Sequence, residues 1–270
     1  MLIVMYLVFA LIGLIAGFLG GLLGIGGGIF TVPSFLLAFH VFGFPPGYTI
    51  HVAIGTSLGV MIFTALSSAW THFLKKGIQW NFLRYYSPGI VCGAILGALI
   101  ADSLPSRKLL VLFSIYIFCF GIYFLISALK RNAPHLFETK LKEPYPITTA
   151  SLGLFAGTIS SILGVGGAPI IIPFLTFHRV KLKHAISTSA FVTLLIGVTG
   201  SLSYLFLGLN DQISDGNTGY LYLPGMLITG IASVVSAPLG ARLAYLLPTR
   251  VLRAIFGVFL IIVSFVLITR

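Results

Sequence analysis

Ten apolar runs, parted only by short polar breaks, leave this chain few ways to fold. The run from Leu109 to Leu129 contains no charged residue at all. A helix that crosses a bilayer needs about 20 such residues. Only 8% of the residues are charged, against roughly 25% in a soluble domain. That is too few to coat a soluble surface, and the same apolar content excludes disorder. An outer-membrane barrel would alternate over segments of about ten residues, whereas these runs are continuous. The expected fold class is an all-α polytopic membrane protein.

The net charge of +11 comes from sixteen Lys and Arg against five acids. The positive residues sit between the apolar runs, which points to membrane orientation rather than to nucleic acid. Cys92 and Cys119 lie inside apolar runs and read as small core residues. The chain is apolar from Leu2 onward, with no positive n-region and no A-x-A site. It is therefore expected to begin with a membrane segment rather than a signal peptide.

The segments are placed at 2–22, 29–43, 49–74, 83–101 and 107–129, then at 147–163, 169–178, 184–208, 221–246 and 249–269. A polar stretch, 130–146, separates the two sets, and a polar, Gly-containing loop covers 209–220. The sets repeat each other. Leu23-Gly24-Ile25-Gly26-Gly27-Gly28, closing at Pro33, matches Leu163-Gly164-Val165-Gly166-Gly167-Ala168, closing at Pro173. Ala53-Ile54-Gly55-Thr56-Ser57 matches Ala185-Ile186-Ser187-Thr188-Ser189. Tyr86-Ser87-Pro88-Gly89 matches Tyr222-Leu223-Pro224-Gly225. Leu96-Gly97-Ala98 matches Leu239-Gly240-Ala241, and Leu104-Pro105-Ser106-Arg107 matches Leu247-Pro248-Thr249-Arg250. The offsets run from 132 to 143 with the order preserved. The expected units are residues 1–129, a cytoplasmic linker at 130–146, and residues 147–270. Five segments per unit make the second copy enter from the opposite face, an inverted repeat.

Loop charge gives an independent orientation. On one side lie Lys75, Lys76, Arg84, Lys130, Arg131, Lys140, Lys142, Arg179, Lys181, Lys183, Arg242, Arg250 and Arg253. On the other lie only Arg107, Lys108 and Arg270. The positive-inside rule then places both termini outside the cytoplasm, in the cell (inner) membrane.

The chemistry is expected at the glycine clusters. The segments at 29–43 and 169–178 are too short to span, and each follows the cluster of its half. Short, Gly/Pro-interrupted segments at matching places in two halves point to a transporter binding site. Irregular backbone at membrane depth is tolerated where it lines a cavity or is buried in protein. A helix N-terminus beside it favours an anion. The competing reading is close helix packing by small residues. The matched clusters, each followed by proline, favour a substrate loop that includes Gly24, Gly26, Gly27, Gly164, Gly166 and Gly167. The two loops are expected to approach from opposite faces and meet near the midplane, within reach of one anion.

Thr56, Ser57, Thr188 and Ser189 supply hydroxyls that could donate to an oxyanion. The alternative is the usual bond back to the helix carbonyl. His72 and Arg242 are candidates for gating or proton-linked roles, Arg242 equally for a snorkelling anchor. His51 opens its segment and Asp102 closes another; either reads as an interfacial residue, His51 also as a proton shuttle. No Asp or Glu stands mid-segment, which argues against a carboxylate relay and suits an anionic substrate. There is no H-E-x-x-H, G-x-S-x-G or Asp pair, so no enzyme activity, metal or cofactor is expected. An anion channel is the nearest alternative class.

These residues resemble the TauE/SafE family, also called the sulfite exporter or TSUP family, over nearly the whole length. The carriers are Gly17 through Pro33, Ala53-Ile54-Gly55-Thr56-Ser57-Leu58, and His72 with Gly77-Ile78-Gln79-Trp80. In the second half they are Ser160 through Pro173, Thr188-Ser189 and Leu239-Gly240-Ala241-Arg242. Ala168, in place of a third glycine, and Gln79, where an acid is common, depart from the pattern. The resemblance implies movement of a small sulfur-containing anion such as sulfite, thiosulfate or an organic sulfonate. Another small organic acid is the alternative. The partners implied are that substrate and the lipid bilayer.

Overall fold

The computed structural model describes residues 2–23, 27–45, 47–74, 77–129, 146–178, 180, 182–210, 216–243 and 249–268. The first half holds α1 (Leu2–Leu23), α2 (Gly28–Val41), α3 (Thr49–Leu74), α4 (Trp80–Ser103) and α5 (Ser106–Leu129). The second holds α6 (Pro146–Leu163), α7 (Ala168–Phe177), α8 (Leu182–Leu207), α9 (Leu223–Leu243) and α10 (Thr249–Ile268). Among the described residues, seven helices are long and apolar enough to cross a membrane: α1, α3, α4, α5, α6, α8 and α9. With 14 and 10 residues, α2 and α7 rise only about 21 and 15 Å, against a hydrocarbon core of about 30 Å.

Each of the ten segments read from the sequence holds one helix, and their ends agree to within three residues. The loop at 209–220 contains a one-turn 3-10 helix, Gly208–Asn210, and leads into a hairpin of β1 (Asn217–Thr218) and β2 (Leu221–Tyr222). α9 therefore starts at Leu223 rather than 221. Tyr222 instead pairs with Asn217 across the hairpin, and its N–H donates to the Thr56 hydroxyl at 3.0 Å.

Packing partners follow the repeat. α1 lies along α9 as α6 lies along α4, and α3 pairs with α8 as α5 pairs with α10. α3 touches α9 as α8 touches α4, and α2 lies on α3 as α7 lies on α8. Exchanging the halves, helix for helix, maps α1–α9 onto α6–α4, α3–α9 onto α8–α4 and α2–α3 onto α7–α8, and returns α3–α8 and α5–α10 to themselves. Small residues set the closest approaches, as expected where lipid supplies no hydrophobic drive. Gly13 and Gly17 of α1 rest on the Thr229 and Ser233 carbonyls of α9. Gly153 and Gly157, 140 residues later, rest on the Tyr86 and Ile90 carbonyls of α4. A Cβ at Gly153 would stand 2.6 Å from the Tyr86 oxygen.

α3 is the central helix, with 78% of its apolar stretch buried against 33–39% for the other six. The outer helices α5 and α10 present Ile115, Ile122, Ile126, Ile255, Ile262 and Phe265 outward. Cys92 and Cys119 are exposed on this lipid-facing surface, not in the core as their apolar surroundings suggested. In a bilayer, an apolar run does not distinguish the inward face from the outward one.

Candidate functional site

The N-cap position of α2 is held by Gly27, whose left-handed φ of 77° turns the chain into the helix. The Gly27 carbonyl accepts the N–H groups of Phe30 and Thr31 at 3.0 and 3.1 Å. No side chain caps this end, so it presents the positive end of the helix dipole. Gly28 lies directly on the second glycine turn. A Cβ there would stand 2.8 Å from the Gly164 carbonyl oxygen and 3.1 Å from Val165 Cα. Gly164 is itself left-handed, with φ 64°, and closes on Ile54 of α3 and Val32 of α2. The turns of the two halves are thus in contact. Gly24 and Gly26 lie outside the described residues.

Hydroxyls tie this meeting point together. Thr31 Oγ1 and Ser57 Oγ are 2.5 Å apart, and Ser57 donates to the Gly164 carbonyl at 3.1 Å. Thr31 also reaches the Gly28 carbonyl at 3.2 Å. Both side chains are buried. Ser57 therefore clasps the turn of the opposite half to α2 and α3.

The paired threonines have matching tasks. Thr56 accepts the N–H of Tyr222, the residue before α9. Thr188 accepts the N–H of Gln79 at 3.0 Å, the residue before α4, and donates to the His184 carbonyl at 2.8 Å. Both oxygens are thus occupied by backbone in this state.

Ser189 differs from its counterpart Ser57. It is 1% exposed and its Oγ has no hydrogen-bond partner. It lies three residues before Val192 and seven before Ile196, the α8 side chains that cover Gly167 at the head of α7. The Gly167 carbonyl accepts the N–H groups of Ile170 and Ile171, opening α7. Gly166 and Gly167 are buried. Tyr86, whose ring packs 5.7 Å from Phe174 of α7, is a second buried hydroxyl without a partner. It belongs to a repeat anchor, yet nothing in the sequence marked it as a site residue. Thr31, on the solid face of an apolar helix, was equally silent.

His72 and Arg242 lie in α3 and α9, but their side chains are outside the described residues. Among the described residues no three His, Cys, Asp or Glu come together, and Asp102 is the only acid. His51, near the start of α3, is 3% exposed. Among the described residues, the polar groups at the meeting point are the uncapped head of α2, hydroxyls and backbone N–H groups. Uncapped helix ends and hydroxyl donors can hold an anion without a fixed charge in the bilayer.

The family model for the sulfite exporter TauE/SafE matches residues 9–267. A probable membrane transporter protein of Haemophilus influenzae is 32% identical over 94% of each chain. One from Methanocaldococcus jannaschii is 31% identical over 86% of this chain and 84% of its own. A third, YunE of Bacillus subtilis, is 29% identical over 96% of each. No solved structure matches the chain.

Proposed function

The chain belongs to the TauE/SafE family of membrane transporters, and from that premise we propose that it is a secondary transporter of a small sulfur-containing anion. Sulfite, thiosulfate or an organic sulfonate would be carried by alternating access, between two five-helix halves of inverted orientation. Residues 1–129 and 147–270 are the halves, 130–146 is a cytoplasmic linker, and both termini face away from the cytoplasm. The observation that carries this reading is the contact between the two glycine turns, Gly28 on Gly164, at the heads of two helices too short to span. The exchange of packing partners between halves supports the inverted repeat.

The anion would sit against the heads of α2 and α7. Gly27, Gly166 and Gly167 would allow backbone N–H groups to approach it, and Ser189 would supply a hydroxyl not engaged elsewhere. Ser57 would hold the two turns in register, while Thr56 and Thr188 would fix the starts of α9 and α4. Transition between states would rock one half against the other about the Ser57–Gly164 contact.

Flux into proteoliposomes across sulfite, thiosulfate, sulfate, an organic sulfonate and a simple carboxylate tests this. Saturable flux of a sulfur anion, blocked by the others in competition, is the expected result. Flux of the carboxylate alone would overturn the substrate class. Unsaturable flux at channel rates would overturn alternating access.

A further inference from the structure

A second polar cluster lies at the Thr49 end of α3, away from the glycine turns. His51 is buried there. Its Nε2 is 3.0 Å from the Ala101 carbonyl oxygen. A carbonyl only accepts, so Nε2 bears a proton. Its Nδ1 is 3.3 Å from Ser106 Oγ, and the Ser106 hydroxyl donates to the Gly47 carbonyl. Serine has one proton. With that proton on Gly47, a bare Nδ1 faces an oxygen lone pair. A second ring proton makes each of these three contacts a donor–acceptor pair: Nε2–H to Ala101, Nδ1–H to Ser106, and Ser106 O–H to Gly47.

The surroundings contain the other groups such a site needs. From α4, the residue after Ala101 is Asp102, whose Oδ1 accepts the Tyr220 hydroxyl at 2.8 Å. From the hairpin, the Tyr220 ring is 5.3 Å from the imidazole. From the α2–α3 connection, Tyr48 is 6.2 Å away. From α5, Arg107 and Lys108 follow Ser106 and are exposed. From α8, Tyr204 stands behind Tyr220 at 6.2 Å and donates to the Ser161 carbonyl at 3.1 Å. Ser161 lies three residues before Gly164. Ile54, one turn along α3 from His51 or about 5 Å, packs beneath Gly164. The cluster therefore touches the surface connection at Gly47 directly and is linked to the turn at Gly164 through Ser161 and Ile54.

We propose that His51 is a proton-binding site of the transport cycle. It carries the second ring proton in the conformation seen here and releases it when the extracytoplasmic mouth opens. On release, Ser106 turns its hydroxyl from Gly47 to Nδ1, and the α2–α3 connection is freed from the head of α5. Only the Nδ1–H bond forms and breaks, and the proton exchanges with water. The proposal rests on the transport reading above, because a proton moving with an anion reduces the net charge carried across the bilayer.

Two measurements decide it. In full-length protein in nanodiscs with 15N-labelled histidine, the resonance missing from His51→Gln is that of His51. It should pass between singly and doubly protonated forms within about pH 5–8, the range in which histidine titrates. One protonation state across that range would overturn the proposal. In proteoliposomes, an imposed pH gradient should drive thiosulfate, which stays unprotonated at these pH values, at least several-fold faster than no gradient. Glutamine at 51 can donate to Ala101 and accept from Ser106 but takes up no proton. The His51→Gln variant should keep its thermal stability and lose the gradient effect. A variant that still follows the gradient refutes the site. So does one that loses stability in step with flux at every pH, since that marks a structural clamp. If the wild type moves no anion of the panel, the transport reading fails, while the histidine titration still decides the proton site.

Discussion

Replacing Ser189 with alanine separates a ligand hydroxyl from a structural one. A buried hydroxyl without a partner costs about 1–3 kcal/mol of lost hydration, and Ser189 is in that condition. Removing one oxygen leaves little cavity and relieves that cost. The folded state should be unchanged or stabilised by about 1 kcal/mol. For a soluble chain of similar size that corresponds to a rise of roughly 2–4 °C in Tm. Anion binding should move the other way. A hydrogen bond to a charged group is worth about 1.5–3 kcal/mol, so Kd should rise roughly tenfold to a hundredfold. Thermal unfolding of the purified variant, with and without sulfite or thiosulfate, reads both quantities. A Ser189→Ala protein that loses several degrees but binds anions as the wild type does would refute the argument, since the hydroxyl would then belong to the fold.

Ser57→Ala should behave in the opposite manner. It strips the donor from the Gly164 carbonyl and a partner from Thr31, so thermal unfolding should show a loss of about 1–3 kcal/mol. Thr56→Val and Thr188→Val should each lose a similar amount by leaving the N–H of Tyr222 or Gln79 unpaired. Unequal losses would count against equivalent roles in the two halves. Gly28→Val places a branched side chain against the Gly164 backbone, which cannot yield as a side chain does; flux should vanish even in variant protein that elutes as folded on size exclusion. In a background lacking Cys92 and Cys119, cysteines introduced at Ser103 and Lys140 should be labelled from opposite sides of the membrane, with 140 reached only from the cytoplasm.

The helices were legible because a bilayer enforces one rule along the whole chain: apolar, continuous and about 20 residues long. α3 and α5 match the sequence limits to within a residue. The short α2 and α7 were legible for the complementary reason, since each falls short of a span after a glycine cluster. Glycine periodicity was legible only in part. Gly13 and Gly17 repeat as Gly153 and Gly157 at the same offset as the clusters, but a lone Gly in an apolar run gives no sign of what it faces. The roles of Thr56 and Thr188 could not be read, because a hydroxyl that accepts a distant backbone N–H looks the same in sequence as one that awaits a ligand. The inequality of Ser57 and Ser189 was hidden by their identical setting in the repeat. The core position of His51 was hidden because its partners, Ala101 and Ser106, lie 50 and 55 residues away.

The central claim is that one anion is held where the two glycine turns meet. Crystals of the full chain grown with selenite, a sulfite analogue whose selenium scatters anomalously, measure this directly. The predicted result is a single anomalous peak at the heads of α2 and α7, within hydrogen-bonding distance of Ser189 Oγ, about 3 Å. An anomalous signal found only outside this region, in crystals of protein that transports sulfite, would contradict it.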